Sequence, residues 1–159
     1  MLEDITLVIH GVELAEEIPG IDRIRKHARI HCAPDLASLQ RYLPEADALL
    51  GWNFRATELR KAWPPTGRLR WIQWGGAGVD AVLFPELVAS DVLLTNTRGV
   101  FDRAMAEYTL GLILSFGKEF SETYAAQREH RWSYRRTELA AGRSVLVVGV
   151  GSIGREIAR

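Results

Sequence analysis

The sequence predicts an α/β protein built on an open parallel sheet, and three observations lead there. Short apolar runs alternate with segments of helical period over residues 1–97, an apolar helical stretch follows at 103–127, and the stretch 145–159 carries a strand-like run entering a glycine turn. Strands that alternate with helices pair in parallel, and right-handed crossovers then place helices on both faces of the sheet.

Ile5 to His10 is an apolar run rich in β-branched residues and closed by Gly11, the signature of a strand covered on both faces. Ile21 to Ala28 reads as a short helix with Ile21, Ile24 and Ala28 on one side, and Arg29 to Cys32 as the second strand. Leu36 to Leu43 repeats the helical pattern through Leu36, Leu39 and Leu43. Ala48 to Gly51 is the third strand, Thr57 to Trp63 a helix stopped by Pro64 and Pro65, Arg70 to Trp74 the fourth strand and Leu93 to Asn96 the fifth. Asp80 to Ala89 holds a helix broken or started near Pro85.

From 103 to 127, Ala104, Ala106, Tyr108, Leu110, Leu112, Ile113, Leu114 and Phe116 make a segment apolar nearly all round, the pattern of a helix buried on several sides. Lys118 to Arg143 then turns polar, an exposed helix end and a connecting arm. The expected organisation is a sheet domain over 1–97, a linking helix and arm over 98–143, and the start of a second domain over 144–159.

Composition excludes several function classes. Twenty Lys and Arg balance twenty Asp and Glu, so nothing favours a nucleic-acid or membrane-surface partner. The single cysteine, Cys32, makes neither an internal disulfide nor a shared zinc site, which suits the cytosol. Met1 to Asp4 carries acid where a secretory leader needs base, and no run approaches the ~18 apolar residues of a membrane span. A cytoplasmic protein is expected.

Two glycine motifs carry candidate chemistry. In the first, Val145-Leu146-Val147-Val148 enters Gly149-Val150-Gly151-Ser152-Ile153-Gly154. Such a turn uses one glycine for tight geometry, one to admit a pyrophosphate and one to pack helix on strand. The same pattern also occurs in S-adenosylmethionine-dependent methyltransferases and as a purely structural turn. In the second, Gly75-Gly76-Ala77-Gly78-Val79-Asp80 follows the fourth strand, at the carboxyl end where open sheets bind ligands. Small residues there form a nest of backbone N–H groups suited to a carboxylate. The alternative is a plain strand-to-helix turn with Asp80 as N-cap.

Taken in order, Leu69 to Gln73 running into Gly76-Ala77-Gly78-Val79-Asp80, Leu94-Thr95-Asn96-Thr97 with Gly99, Ala104-Met105-Ala106-Glu107-Tyr108, and the glycine turn resemble the D-isomer-specific 2-hydroxyacid dehydrogenase family. Gly99 to Tyr108 is most similar to its glyoxylate/hydroxypyruvate reductase branch. The resemblance implies a flavodoxin-like substrate domain, a long linking helix and the start of a Rossmann domain. It implies NAD or NADP as cofactor and a small 2-oxo or 2-hydroxy acid as substrate.

Residue by residue, the resemblance implies that Ala77, Gly78 and Val79 hold the substrate carboxylate through their N–H groups, with Trp52 bordering the pocket. Gly149, Gly151, Ser152, Ile153 and Gly154 would hold the pyrophosphate, and Met105 would approach the nicotinamide; ordinary cleft or core packing is the alternative for Trp52 and Met105. Glu107 is expected to anchor hydrogen bonds rather than to act as an acid. The family's catalytic arginine, histidine and carboxylate are expected beyond Arg159, so none is assigned and this chain alone is expected to be inactive.

His10, His27, His31 and His130 are expected to be solvated or satisfied structural histidines; His27 and His31 are separated by a change from helix to strand that spoils a shared metal face. Arg128-x-x-x-Trp132 is family-like, and the resemblance implies a homodimer there; the alternative is that Trp132 packs on its own domain. The alternative function is a non-catalytic ligand-binding or dimerisation module.

Overall fold

The computed structural model describes residues 5–64 and 67–159 and divides into two compact units, Met1–Arg98 and Gly99–Arg159. The expected helix stop at Pro65 and the acidic Met1 to Asp4 lie outside the described residues.

The first unit is a five-stranded, fully parallel sheet of β1 (Ile5–His10), β2 (Ala28–Ala33), β3 (Ala48–Gly51), β4 (Trp71–Trp74) and β5 (Leu93–Thr95). Its spatial order is β2-β1-β3-β4-β5, the flavodoxin-like arrangement, with the direction of winding reversing between β1 and β3. β1 alternates its side chains as a doubly covered strand must. Val8 joins Leu39, Leu43, Leu49, Ile72 and Trp74 in one core. Leu7 and Ile9 join Val12, Ile18 and Ile21 in the other.

The helices are shorter than their periodicity suggests. The stretch 21–28 yields only α1 (Asp22–Arg25), because Ala28 already pairs with Ile5 as the first residue of β2. α2 (Leu36–Tyr42) is capped by the Asp35 carboxylate, which accepts from the Ser38 amide at 2.8 Å, and it tightens into a 3₁₀ turn at Leu43–Glu45. α3 is confined to Leu59–Ala62 and α4 to Pro85–Val88. Asp80 caps no helix, since the amides of Val82 and Leu83 close a turn on the Val79 carbonyl and α4 starts only at Pro85.

In the second unit the expected single helix is two, α5 (Asp102–Gly117) and α6 (Phe120–Arg128). Gly117 ends the first and Glu119 takes a left-handed φ of 52°, so the backbone cannot run through. The arm returns to this break: the Glu138 amide donates to the Gly117 carbonyl at 3.2 Å, and Arg135 pairs with the Glu119 carboxylate at 2.6 Å. No residue of α5 is buried, contrary to its apolar pattern, and Phe116 is 82% exposed.

Val145 to Val148, expected as a strand, forms none. A strand is defined by its ladder, and no extended neighbour lies beside this run among the described residues. The glycine turn still leads into a helix, α7 (Ser152–Ile157), which packs on α5. No helix among the described residues is long and apolar enough to cross a membrane.

Candidate functional site

The nest after β4 is set by its neighbours at the carboxyl edge of the sheet. The Gly75 amide donates to the Gly51 carbonyl at 2.9 Å, extending the β3–β4 ladder by one step. A Cβ at Gly75 would stand 2.9 Å from the Gly51 carbonyl oxygen and 3.1 Å from that of Trp52, so only glycine fits where these two loops meet. Trp52 follows β3 and is 42% exposed, its amide donating to the His10 carbonyl at 3.1 Å.

Past Gly75 the loop spends its carbonyls inward. The Thr97 hydroxyl donates to the Gly75 carbonyl at 3.0 Å, the Thr97 amide to that of Gly76 at 3.2 Å, and the Asn96 carboxamide to that of Ala77 at 2.8 Å. Among the described residues no protein acceptor receives the N–H groups of Gly76, Ala77, Gly78 or Val79. These are strong donors left open at the sheet edge. Asp80 follows on the same loop, and a Cβ at Gly78 would lie 3.4 Å from its carboxylate.

Asn96 and Thr97 are not among the residues that the sequence motifs single out for this role. Their signal is positional: two short hydrogen-bonding residues directly after β5, the strand beside the one that opens into the nest.

His10, at the end of β1, is 2% exposed. Its Nδ1 lies 3.0 Å from the Ala33 carbonyl and its Nε2 3.7 Å from the Glu58 carboxylate. Both Nε2 and the facing Glu58 oxygen are buried without a hydrogen bond. Burial pushes the imidazole pKa below its ordinary value, and the Glu58 charge partly opposes this. The Nδ1 contact ties His10 to β2, and its Glu58 neighbour comes from a distant part of the chain.

In the second unit, Gly149 has φ of +97°, a conformation side chains resist, and Gly151 is the N-cap of α7 with open space for 4 Å around the point where a Cβ would stand. A Cβ on Gly154 would meet the Gly149 carbonyl oxygen at 1.9 Å. The outer glycines are thus required by the turn itself and the middle one faces open space. Ser152 and Ile153 form the first turn of α7, whose leading amides have no intrahelical partner. Met105 lies on α5 at 42% exposure, and Glu107 pairs with Arg103 at 3.0 Å one turn away. No group of three or more metal-ligating side chains occurs among the described residues.

The family model described as "D-isomer specific 2-hydroxyacid dehydrogenase, NAD binding domain" matches residues 110–159. A D-3-phosphoglycerate dehydrogenase of Mycobacterium leprae is 31% identical over 98% of this chain and 30% of its own length. A solved D-isomer specific 2-hydroxyacid dehydrogenase family protein from Aeromonas salmonicida superposes with a TM-score of 0.76 at 30% identity, over 98% of this chain and 49% of its own. An NADPH-dependent glyoxylate/hydroxypyruvate reductase from Sinorhizobium meliloti shares the fold at 21% identity and a TM-score of 0.63, over 98% of this chain and 49% of its own. The chain therefore spans under a third of the curated relative and about half of the solved structures.

Proposed function

Because the chain belongs to the D-isomer specific 2-hydroxyacid dehydrogenase family, we propose that it carries the carboxylate-binding half of an NAD- or NADP-dependent oxidoreductase acting on a small 2-oxo or 2-hydroxy acid. The observation that supports this most directly is the set of open amides at Ala77 and Gly78, presented where a parallel sheet takes its ligands. Two backbone donors side by side match the two oxygens of a carboxylate. Val79 completes the lip of the nest and Trp52 its apolar wall.

The glycine turn fits a dinucleotide. Gly154 lets α7 close on the turn, Gly151 leaves space for phosphate oxygens, and Ser152 and Ile153 offer amides at the helix start. Met105 would border the nicotinamide. A nicotinamide, when bound, would supply hydride to the carbonyl carbon of the acid. This chain's residues bind and orient the acid, and none of them is assigned the proton transfer. We therefore propose that the chain alone does not turn over.

Within the class, the similarity of Gly99 to Tyr108 to the glyoxylate/hydroxypyruvate branch favours those two acids. The D-3-phosphoglycerate dehydrogenase relatives favour a phosphorylated three-carbon acid instead. The deciding measurement is a binding panel on the purified chain, with glyoxylate, hydroxypyruvate and 3-phosphohydroxypyruvate set against glycolaldehyde, which lacks a carboxylate. Carboxylate-dependent shifts of the Ala77 and Gly78 amide resonances are expected. Equal binding of glycolaldehyde would overturn the reading.

In the second unit, Trp132 stands 91% exposed in the arm and Tyr134 79% exposed, which suits the proposed homodimer contact. Cytoplasmic placement is a proposal resting on cysteine usage.

A further inference from the structure

We infer that the Asn96 side chain is a positioning residue of the nest, aiming the Gly78 amide at the substrate carboxylate by holding the Ala77 carbonyl from behind. The inference rests on the carboxylate-binding reading of Ala77 and Gly78 given above. Its physical basis is the planarity of the peptide group: in a trans peptide the C=O of one residue and the N–H of the next point in opposite directions. Fixing a carbonyl on one side of the loop therefore fixes the following amide on the other.

Three consecutive carbonyls are held in this way, and each hydrogen bond controls a different amide. The Thr97 hydroxyl on the Gly75 carbonyl, at 3.0 Å, orients the Gly76 amide. The Thr97 amide on the Gly76 carbonyl, at 3.2 Å, orients that of Ala77. The Asn96 carboxamide on the Ala77 carbonyl, at 2.8 Å, orients that of Gly78. The Ala77 amide is thus set by backbone alone, whereas the Gly78 amide depends on one side chain.

Asn96 is itself fixed, because its Oδ1 accepts from the Arg98 amide at 3.2 Å, which leaves the NH₂ facing the nest loop. Glycine at position 78 makes this anchor necessary. A residue without Cβ has the widest backbone freedom, so the hydrogen bond to the preceding carbonyl adds a restraint on the peptide that carries its amide.

The substitution N96D separates a donor from a spacer. It keeps the size of the side chain and the acceptor for Arg98, but removes the NH₂ donor and sets an anionic oxygen against the Ala77 carbonyl. N96A removes both. The ligand is oxamate, a stable amide analogue of a 2-oxo acid, titrated against the ¹⁵N-labelled chain with the Ala77 and Gly78 amides as reporters and the thermal midpoint as a control.

At pH 7 both variants are expected to bind oxamate at least about tenfold more weakly than wild type, the worth of one hydrogen bond to a charged group, with the Gly78 shift lost first. Lowering the pH toward about 4, near the ordinary aspartate pKa, protonates Asp in N96D and restores a donor. Its affinity relative to wild type should recover there, while N96A does not. A merely structural role for Asn96 predicts instead that the thermal midpoint falls and recovers together with the affinity, whereas positioning moves the affinity and the Gly78 shift at an unchanged midpoint. If wild type binds but N96D and N96A bind equally well at pH 7, or N96D fails to recover, the positioning role is wrong while the nest stands. If wild type shows no oxamate shift at Ala77 or Gly78, the nest reading fails and this inference with it.

Discussion

A methyl group on Gly154 would lie 1.9 Å from the carbonyl oxygen of Gly149, well inside any allowed contact. The first and third glycines of the turn therefore interlock, and the middle one does not take part.

Substitution at these positions should separate folding from binding. G154A forces α7 off the turn and is expected to cost about 1–3 kcal/mol, as overpacking does, seen as lost amide-exchange protection in α7. G151A should stay within about 0.5 kcal/mol of wild type yet lower NADH affinity, because its methyl enters space left for phosphate. Equal stability losses in the two variants would remove the distinction.

The buried His10 should make the chain less stable as the pH falls from about 7.5 to about 5.5, the range around the ordinary histidine pKa. Its folded-state pKa lies below the ordinary 6.5, so in that range the unfolded chain takes up a proton that the folded chain resists. Stability is fully present above the unfolded value and is lost as the pH drops through it. Asp35, Glu16 and Glu86 have lowered pKa values and act only below about the ordinary carboxylate range. H10N keeps a donor toward the Ala33 carbonyl and should flatten the slope of urea midpoint against pH.

At the opposite edge of the sheet, Asp47 is a buried carboxylate that accepts from the Thr6 amide at 3.0 Å and from Arg68 at 3.0 Å. D47A leaves the Thr6 amide without its partner beside the start of β1. A loss of about 1–3 kcal/mol is expected, and denaturant unfolding measures it. The Arg68 end is exposed and should contribute little to that figure.

Turnover should be absent from the isolated chain. Mixing it with NADH and glyoxylate, and following cofactor absorbance, is expected to give no rate above the uncatalysed one. Enzyme-like oxidation of NADH would place a catalytic proton donor within these residues.

Local chemistry is legible in the sequence wherever one element decides it. Ile5–His10 and Ala48–Gly51 are strands with the bounds their apolar runs suggest. The sheet order agrees with the expected flavodoxin-like architecture. What fails depends on distant partners. Ala28 has a helical neighbour pattern but is claimed by Ile5 across the sheet. The division of α5 from α6 needs the left-handed Glu119, a conformation that a glutamate does not advertise. In the candidate site, the two glycine motifs are visible because glycine marks backbone geometry. The carbonyl anchors of Asn96 and Thr97 are not, since a hydrogen bond between two loops after neighbouring strands leaves no periodic trace.

Val145 to Val150 has a consequence of its own. The run is uncharged and free of proline, and Leu146 and Val148 are 87% and 89% exposed. An exposed, uncharged run of this composition is a template for any strand that reaches it. At high concentration the chain is thus expected to self-associate through intermolecular β-pairing at this segment, and a single lysine in place of Val148 should raise its solubility limit without touching the sheet of the first unit.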